Sequence, residues 1–444
     1  MKTSLRFAYF VSAGLLAWVM ELSAQTPALP AFPGAEGFGA TTPGGRGGKI
    51  LRVTNLNDAG PGSFRAACEA SGARIVVFDV SGTIALKHPI LVRTPFLTIA
   101  GQTAPGDGIC LRDASFGIAT HDVVVRFLRV RLGDVSARED DCIDLHHGAR
   151  NCIIDHCSAT WSIDECLSTS GDVQDCTVQW CLIGEALNAS THAKGNHGYG
   201  SLARANGPFS WHHNLWIHND ARNPRLGDNY GRGSSPRFDV RNNVIYNFGG
   251  TASGLTQGKF EANYVANYLR PGPSSRAKTP ITIGDKSDLQ FFIRDNILEG
   301  DAALTADNTR FFSAVEFDGV RQVRTVDQPF AAPAVQTWAP KEAYARVLEG
   351  VGATRPRRDP VDTRLIAHVR DRKGAIINSQ TEVGGWPELK STAATRDTDG
   401  DGMPDEWETA HGLNPRDALD GAKFSAPGGY TNVEVYLNQL ADGK

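Results

Sequence analysis

The sequence predicts an all-β protein, a single-stranded parallel β-helix with a short calcium-loop motif at its C-terminus. Three observations predict it. Cysteines at 142, 152 and 157 recur at 166, 176 and 181, each 24 residues later, and a fixed period between about 20 and 50 residues marks a repeat architecture. The repeated unit carries strand-like runs (CIIDHC at 152–157, CTVQWC at 176–181) and no sustained helical period. Similar runs begin at 96, 123, 209, 238, 260 and 291, at spacings of 22 to 33 residues. Stacking such coils brings equivalent residues to the roughly 4.8 Å spacing of paired strands.

Composition sets the bounds. The chain has 444 residues and a formal net charge of −4, too small an imbalance for a nucleic-acid partner. That length would ordinarily suggest two or three domains, but one solenoid can absorb it. The 47 glycines and 41% hydrophobic content suit thin coils joined by many turns.

Residues 1–24 read as a secretory signal peptide. Lys2 and Arg6 supply the basic start, 7–20 the apolar stretch, and Leu22, Ser23 and Ala24 a small-residue cleavage site. The apolar run is short for a membrane anchor, and no later segment could span a bilayer. The expectation is a secreted protein, extracellular or periplasmic, with no membrane association after cleavage.

The mature chain divides into a solenoid domain at 25–390 and a C-terminal segment at 391–444. The glycine-rich stretch 33–48 reads as a capping turn region. It is no phosphate loop, because Ile50 follows Gly48 and Lys49 where Ser or Thr is required. Residues 63–71 suggest a short capped helix and 75–80 the first strand of the stack. Asn214, Asn243, Asn267 and Asn296 sit late in successive rungs, where asparagine suits a left-handed turn and bonds neighbouring backbone. Beyond residue 300 the rung pattern fades, and 342–349 and 363–369 read as helices packed back on the coil.

All eight cysteines lie in the mature part. Stacking sets 142 over 166, 152 over 176 and 157 over 181, which suits either disulfides or a buried ladder of thiols. No CxxC spacing points to zinc.

After a polar linker at 391–396, Asp397, Asp399, Asp401, Gly402, Asp405 and Glu408 satisfy every ligand position of a twelve-residue calcium loop. Pro404 stands where a helix-pair sensor usually has a β-branched residue, so the motif reads as a stabilising extracellular calcium repeat.

The 24-residue register also sets Asp140 and Asp141 over Asp164 and Glu165, beside Glu139. Stacked carboxylates repel, so they persist by binding a cation or by raising a pKa. Oxygen-only ligands on an exported protein favour Ca²⁺. Three further clusters fall nearby: Lys194 in the loop 192–198, the pair His212 and His213, which reads as packed and hydrogen-bonded, and Arg222 and Arg225 around a proline.

The segments CIIDHCSATWSIDE (152–165), CTVQWC (176–181), WHHNL (211–215) and RNPRL (222–226) together resemble pectate lyases of polysaccharide lyase family 1. FPGAEGFGA (32–40) and GPGSFRAA (60–67) look like its bacterial members. The likeness covers about residues 32–300. It implies a right-handed parallel β-helix, a polygalacturonate (pectin) substrate groove and a monomer. By the same resemblance Asp141 and Asp164 match calcium ligands, with Asp140 and Glu165 beside them. Arg222 matches the catalytic arginine and Lys194 a substrate-binding lysine; Arg225 would join it on the substrate carboxylate. Ser168 departs from an aspartate usual four positions after Asp164, and Arg225 follows Arg222 by three residues rather than five. The implied reaction is calcium-dependent β-elimination giving 4,5-unsaturated oligogalacturonides, with an alkaline optimum. Rival readings are an inverting polygalacturonase, whose D-D-C signature Asp140, Asp141 and Cys142 resemble but whose G-H-G and R-I-K motifs are absent, a calcium-free lyase for methylated pectin, and a non-catalytic glycan-binding β-helix.

Overall fold

Each repeat forms one coil of a parallel β-helix in the computed structural model, which describes residues 28–277, 279–425 and 428–443. The expected signal peptide at 1–24 lies outside the described residues. Nine short strands, one per coil from Gly82–Ala85 to Ile297–Leu298, stack into one sheet, while two further stacks join as a seventeen-stranded sheet. Every inter-coil pairing is parallel. Cys152 pairs with Cys176, Cys176 with Phe209, and Phe209 with Phe238. The interior is therefore a set of like-on-like stacks, among them Val125, Ile154, Val178, Trp211, Val240 and Tyr264, all buried. Each such side chain contributes about 1.5–3 kcal/mol by leaving water.

All eight cysteines are buried free thiols, so the structure favours the ladder over bridges. Burial pushes the Cys176 and Cys181 thiols far up, which makes them packing groups rather than nucleophiles.

The asparagines form a buried ladder. The Oδ1 of Asn243 accepts from the Asn214 N–H at 2.9 Å, and its amide donates to the Trp211 carbonyl at 2.9 Å. Asn267 and Asn296 repeat the arrangement one and two coils on. The left-handed corner, however, belongs to the preceding residue (His213, Asn242, Ala266, Asp295). The asparagine instead satisfies the backbone groups that corner leaves unpaired. Asn243→Ala is expected to destabilise the fold by at least about 1–3 kcal/mol, the cost of unpaired buried polar groups. An unchanged midpoint of urea unfolding would remove the ladder from this account.

Two expectations about the N-terminal third need correction. The first coil begins at Lys49–Val53, whose Ile50 pairs with Ile75, so 75–80 is the second rung. Flanking glycines hide this half-exposed strand in the sequence. The stretch 33–48 is not an end cap. It runs along the outer face of the long sheet, where Thr98, Thr177 and Ser210 hydroxyls accept the N–H groups of Gly45, Gly39 and Phe38. A Cβ on Gly39 would lie 2.2 Å from the Cys152 carbonyl oxygen, so only glycine permits that approach. The end of the coil is met by helix Phe64–Glu69, N-capped by Ser63 and burying Phe64 and Cys68 as expected.

Helices Pro340–Gly350 and Pro360–Asp371 pack on the nine-stranded sheet through Val347, Leu365 and Val369. The second is anchored by Arg131, which reaches Asp359 at 2.5 Å and Asp362 at 2.7 Å, all three buried. The linker 391–396 starts at the bridge of Ser391 to Gly106, and helices Asp405–Ala410 and Asn432–Asp442 follow. No helix among the described residues is long and apolar enough to cross a membrane.

Candidate active site

The acidic edge forms where three coils start the same stack of strands. Glu165 bridges Tyr199, which bridges Ala221, and the Glu165 N–H donates to the Asp141 carboxylate at 2.9 Å. Residues 24 apart are thus brought into contact. Asp141, Asp164 and Glu165 each offer a carboxylate oxygen within 4.8 Å of the others. Burial together with the charges of Asp144 and Asp164 pushes the Asp141 carboxyl well up. Burial alone would raise Asp164 too, but the hydrogen bond and charge of His197 hold it low, its Oδ1 lying 2.8 Å from His197 Nε2.

Asp140 stands beside this cluster with its carboxylate toward the Ser115 hydroxyl, and its carbonyl accepts from Ser162 at 3.1 Å. Ser168 takes a role in its own right: its hydroxyl bonds Asp141 and accepts the Leu202 N–H at 3.1 Å.

Arg222 lies two coils beyond Glu165, next to Ala221, in the left-handed region at φ 61°. Its guanidinium pairs with Glu165 and stacks 4.0 Å above the Tyr199 ring. Burial and the neighbouring Arg225 push its pKa down to about 10. Arg225 opens strand Arg225–Asp228 and donates to Gln257 at 2.9 Å. Burial and Arg204 lower it as well. From Gln257 a groove of about 570 Å³ leads away, walled by Arg204, Tyr230, Lys259 and Lys286.

Lys194 is exposed at the tip of the loop over the acidic edge. That loop is tied down by the Ala193 N–H on Glu139 at 2.8 Å and the Lys194 N–H on His192 at 3.0 Å. The His192 and His197 rings stack at 4.0 Å. His212 and His213 are buried and bonded to each other at 2.8 Å, with Trp180 stacked on His213. They are packing residues, as expected.

Sequence reasoning missed four groups. Asp144 is pushed up to about 7 by burial and Asp140, and it pairs in register with Ser168. The 24-residue period, applied to Ser168, would have found it. Tyr199, His197 and Gln257 have no such signal, because the coils that carry them break the period: Tyr199 bridges Glu165 and Gln257 pairs with Gly227, neither pair 24 residues apart.

The clustered carboxylates and the adjoining arginines fit a divalent ion next to a base of lowered pKa. No protein-family model matches the sequence. The chain is 37% identical over 438 residues to a probable pectate lyase C of Neosartorya fischeri, spanning 97% of this chain and 98% of that one. The chain belongs to the pectate lyase family. A probable pectate lyase C of Aspergillus terreus is 38% identical over 95% of this chain and 96% of its own. Both relatives are fungal. Among solved structures, the cedar-pollen allergen Jun a 1 matches with a TM-score of 0.52 at 18% identity, over 72% of this chain and 92% of its own. A pectate lyase solved for its substrate specificity and anti β-elimination mechanism matches at 0.50 and 14% identity, over 74% and 98%. Those likenesses concern the fold alone. This pectate lyase is an enzyme of the polysaccharide lyase type, which sets aside the polygalacturonase and binding-module readings.

Proposed function

We propose that this pectate lyase cleaves polygalacturonate by calcium-dependent β-elimination, releasing 4,5-unsaturated oligogalacturonides, with Arg222 as the base. The observation that carries the reading is Arg222 itself, a guanidinium of lowered pKa held against a carboxylate cluster. Asp141, Asp164 and Glu165 would hold Ca²⁺, with Asp140 and Asp144 adding negative charge nearby. The ion supplies neutralisation of the bound uronate carboxylate, which acidifies the neighbouring C5–H.

The chain's own residues do the rest. Neutral Arg222 removes the C5 proton. The electron pair left behind forms the C4–C5 double bond, the C4–O bond breaks, and the departing sugar oxygen takes a proton from water. Tyr199 seats the guanidinium by its ring face. Arg225 and Lys194 hold the uronate carboxylate, a role suited to the fork of arginine and the reach of lysine. Lys259 and Lys286 extend positive charge along the groove for further uronates. A secretory peptide at 1–24 would place the enzyme outside the cell, where calcium is plentiful.

The product tests the reading. Elimination gives fragments lighter by one water than hydrolysis would, with ultraviolet absorbance from the new double bond. Reducing ends without that absorbance would sink it.

The pH dependence follows from the base. Arg222 acts only when deprotonated, so below its pKa of about 10 the active fraction falls tenfold per pH unit. The logarithm of kcat/KM should therefore rise with a slope of about one between roughly pH 7 and 9. A flat profile over that window would rule Arg222 out as base.

A further inference from the structure

The C-terminal loop carries a second group of carboxylates, remote in sequence from the active site. Asp397 anchors the turn: its two oxygens accept the N–H groups of Gly400 at 2.7 Å and Gly402 at 3.0 Å, and Arg52 pairs with it. Asp399, Asp401 and Asp397 lie together. Glu408 and Asp420 lie close enough to feel the charge of this group. Both oxygens of Glu408, Oδ2 of Asp401, Oδ2 of Asp399 and Oδ1 of Asp420 are out of solvent and unbonded. Glu408 is 0% exposed, Asp401 4% and Asp420 5%. Buried carboxylates without donors are costly unless a cation joins them.

Asp405 must be removed from the expected ligand set. Its carboxylate accepts the Thr398 N–H and hydroxyl, both at 2.7 Å, and lies 3.1 Å from Arg396. Asp420 takes its place from outside the twelve-residue loop. Its other oxygen accepts the Asn414 N–H at 3.0 Å, and a Cβ on the next residue, Gly421, would fall 2.4 Å from Asp401.

We propose that Asp399, Asp401, Glu408 and Asp420, with Asp397, bind a structural Ca²⁺ that clasps the C-terminal segment onto the first coils of the β-helix. The oxygen-only donor set selects a hard divalent ion, and the short D-x-D-x-D-G turn suits calcium. The clasp has a defined load. The Val433 N–H donates to the Gly421 carbonyl at 3.0 Å, so fixing Asp420 fixes the start of helix Asn432–Asp442. Met403, Val433 and Leu437 then pack on Ile75, Val77 and Ala100 of the long sheet. This inference does not rest on the catalytic reading.

Hydrogen–deuterium exchange of the full chain tests it, with calcium chloride, magnesium chloride or chelator as the only variable. Calcium should slow exchange across 432–442 by at least about tenfold in the wild type and in Asp141→Asn, while magnesium does so far less. The protection should vanish in Asp420→Asn and Glu408→Gln. Should those variants fail to fold, Asp399→Asn, altered at a half-buried position, should weaken it instead. Equal exchange with and without calcium in the wild type, or full protection in both Asp420→Asn and Asp399→Asn, would overturn the clasp.

Discussion

Arg222→Ala is expected to lower kcat by about 10²–10⁴-fold, the usual worth of a positioned general base, while the fold survives. The two halves of that expectation have separate causes. Activity falls because neither neighbouring cation takes its place: Arg225 is engaged with Gln257, and Lys194 stands exposed on its loop. The fold survives because the backbone, not the side chain, holds this coil. The Arg222 carbonyl accepts the Ser201 N–H at 2.6 Å. The truncation also leaves Glu165 without its cation, and only the acidic edge feels that. Initial rates of unsaturated product, beside circular dichroism of the same sample, check both halves. Near-normal turnover in a folded variant would remove Arg222 from the mechanism.

Asp141→Asn should move activity and stability in opposite directions. Asp141 has a folded pKa raised by burial and by Asp144 and Asp164. A carboxylate raised in this way destabilises the folded state once pH exceeds its unfolded pKa of about 4. At neutral pH the isosteric amide therefore relieves repulsion, and without calcium the variant should melt no lower than the wild type. The same change removes a calcium ligand. The calcium needed for half-maximal rate should rise by at least the roughly 10–100-fold that loss of even an outer partner costs. Glu165 adds to the effect. Committed to a cation it no longer holds Arg222 protonated, whereas a weakly bound cation leaves that ion pair intact. A variant that is less stable and has an unchanged calcium requirement would contradict the assignment.

Legibility in the sequence tracked how local each feature was. Register was legible because Cys152 over Cys176 fixes every residue between them, and so Asp141, Asp164 and Glu165 could be joined across a coil. Helices with caps inside their own segment, such as Pro360–Asp371 with Asp359, were equally plain. The ribbon at 33–48 was not, because its hydrogen bonds end on hydroxyls 53 to 172 residues away. The C-terminal loop shows both cases together. Its aspartates follow a local pattern, yet Asp405 is captured by Thr398 and Asp420 enters through a turn that no spacing rule covers. Asp144 also follows the period, but its in-register partner is the uncharged Ser168, so no stacked pair of carboxylates marks it.

The central claim is calcium-dependent elimination at the Asp141, Asp164, Glu165 and Arg222 cluster. A calcium titration of chelated protein, with polygalacturonate as substrate and the ultraviolet absorbance of the unsaturated product as readout, tests it most directly. Run on the wild type and on Asp420→Asn, it separates the catalytic ion from the structural one. The account predicts near-zero rate in chelator and a saturable rise with calcium in both proteins. Full activity in chelator would contradict it.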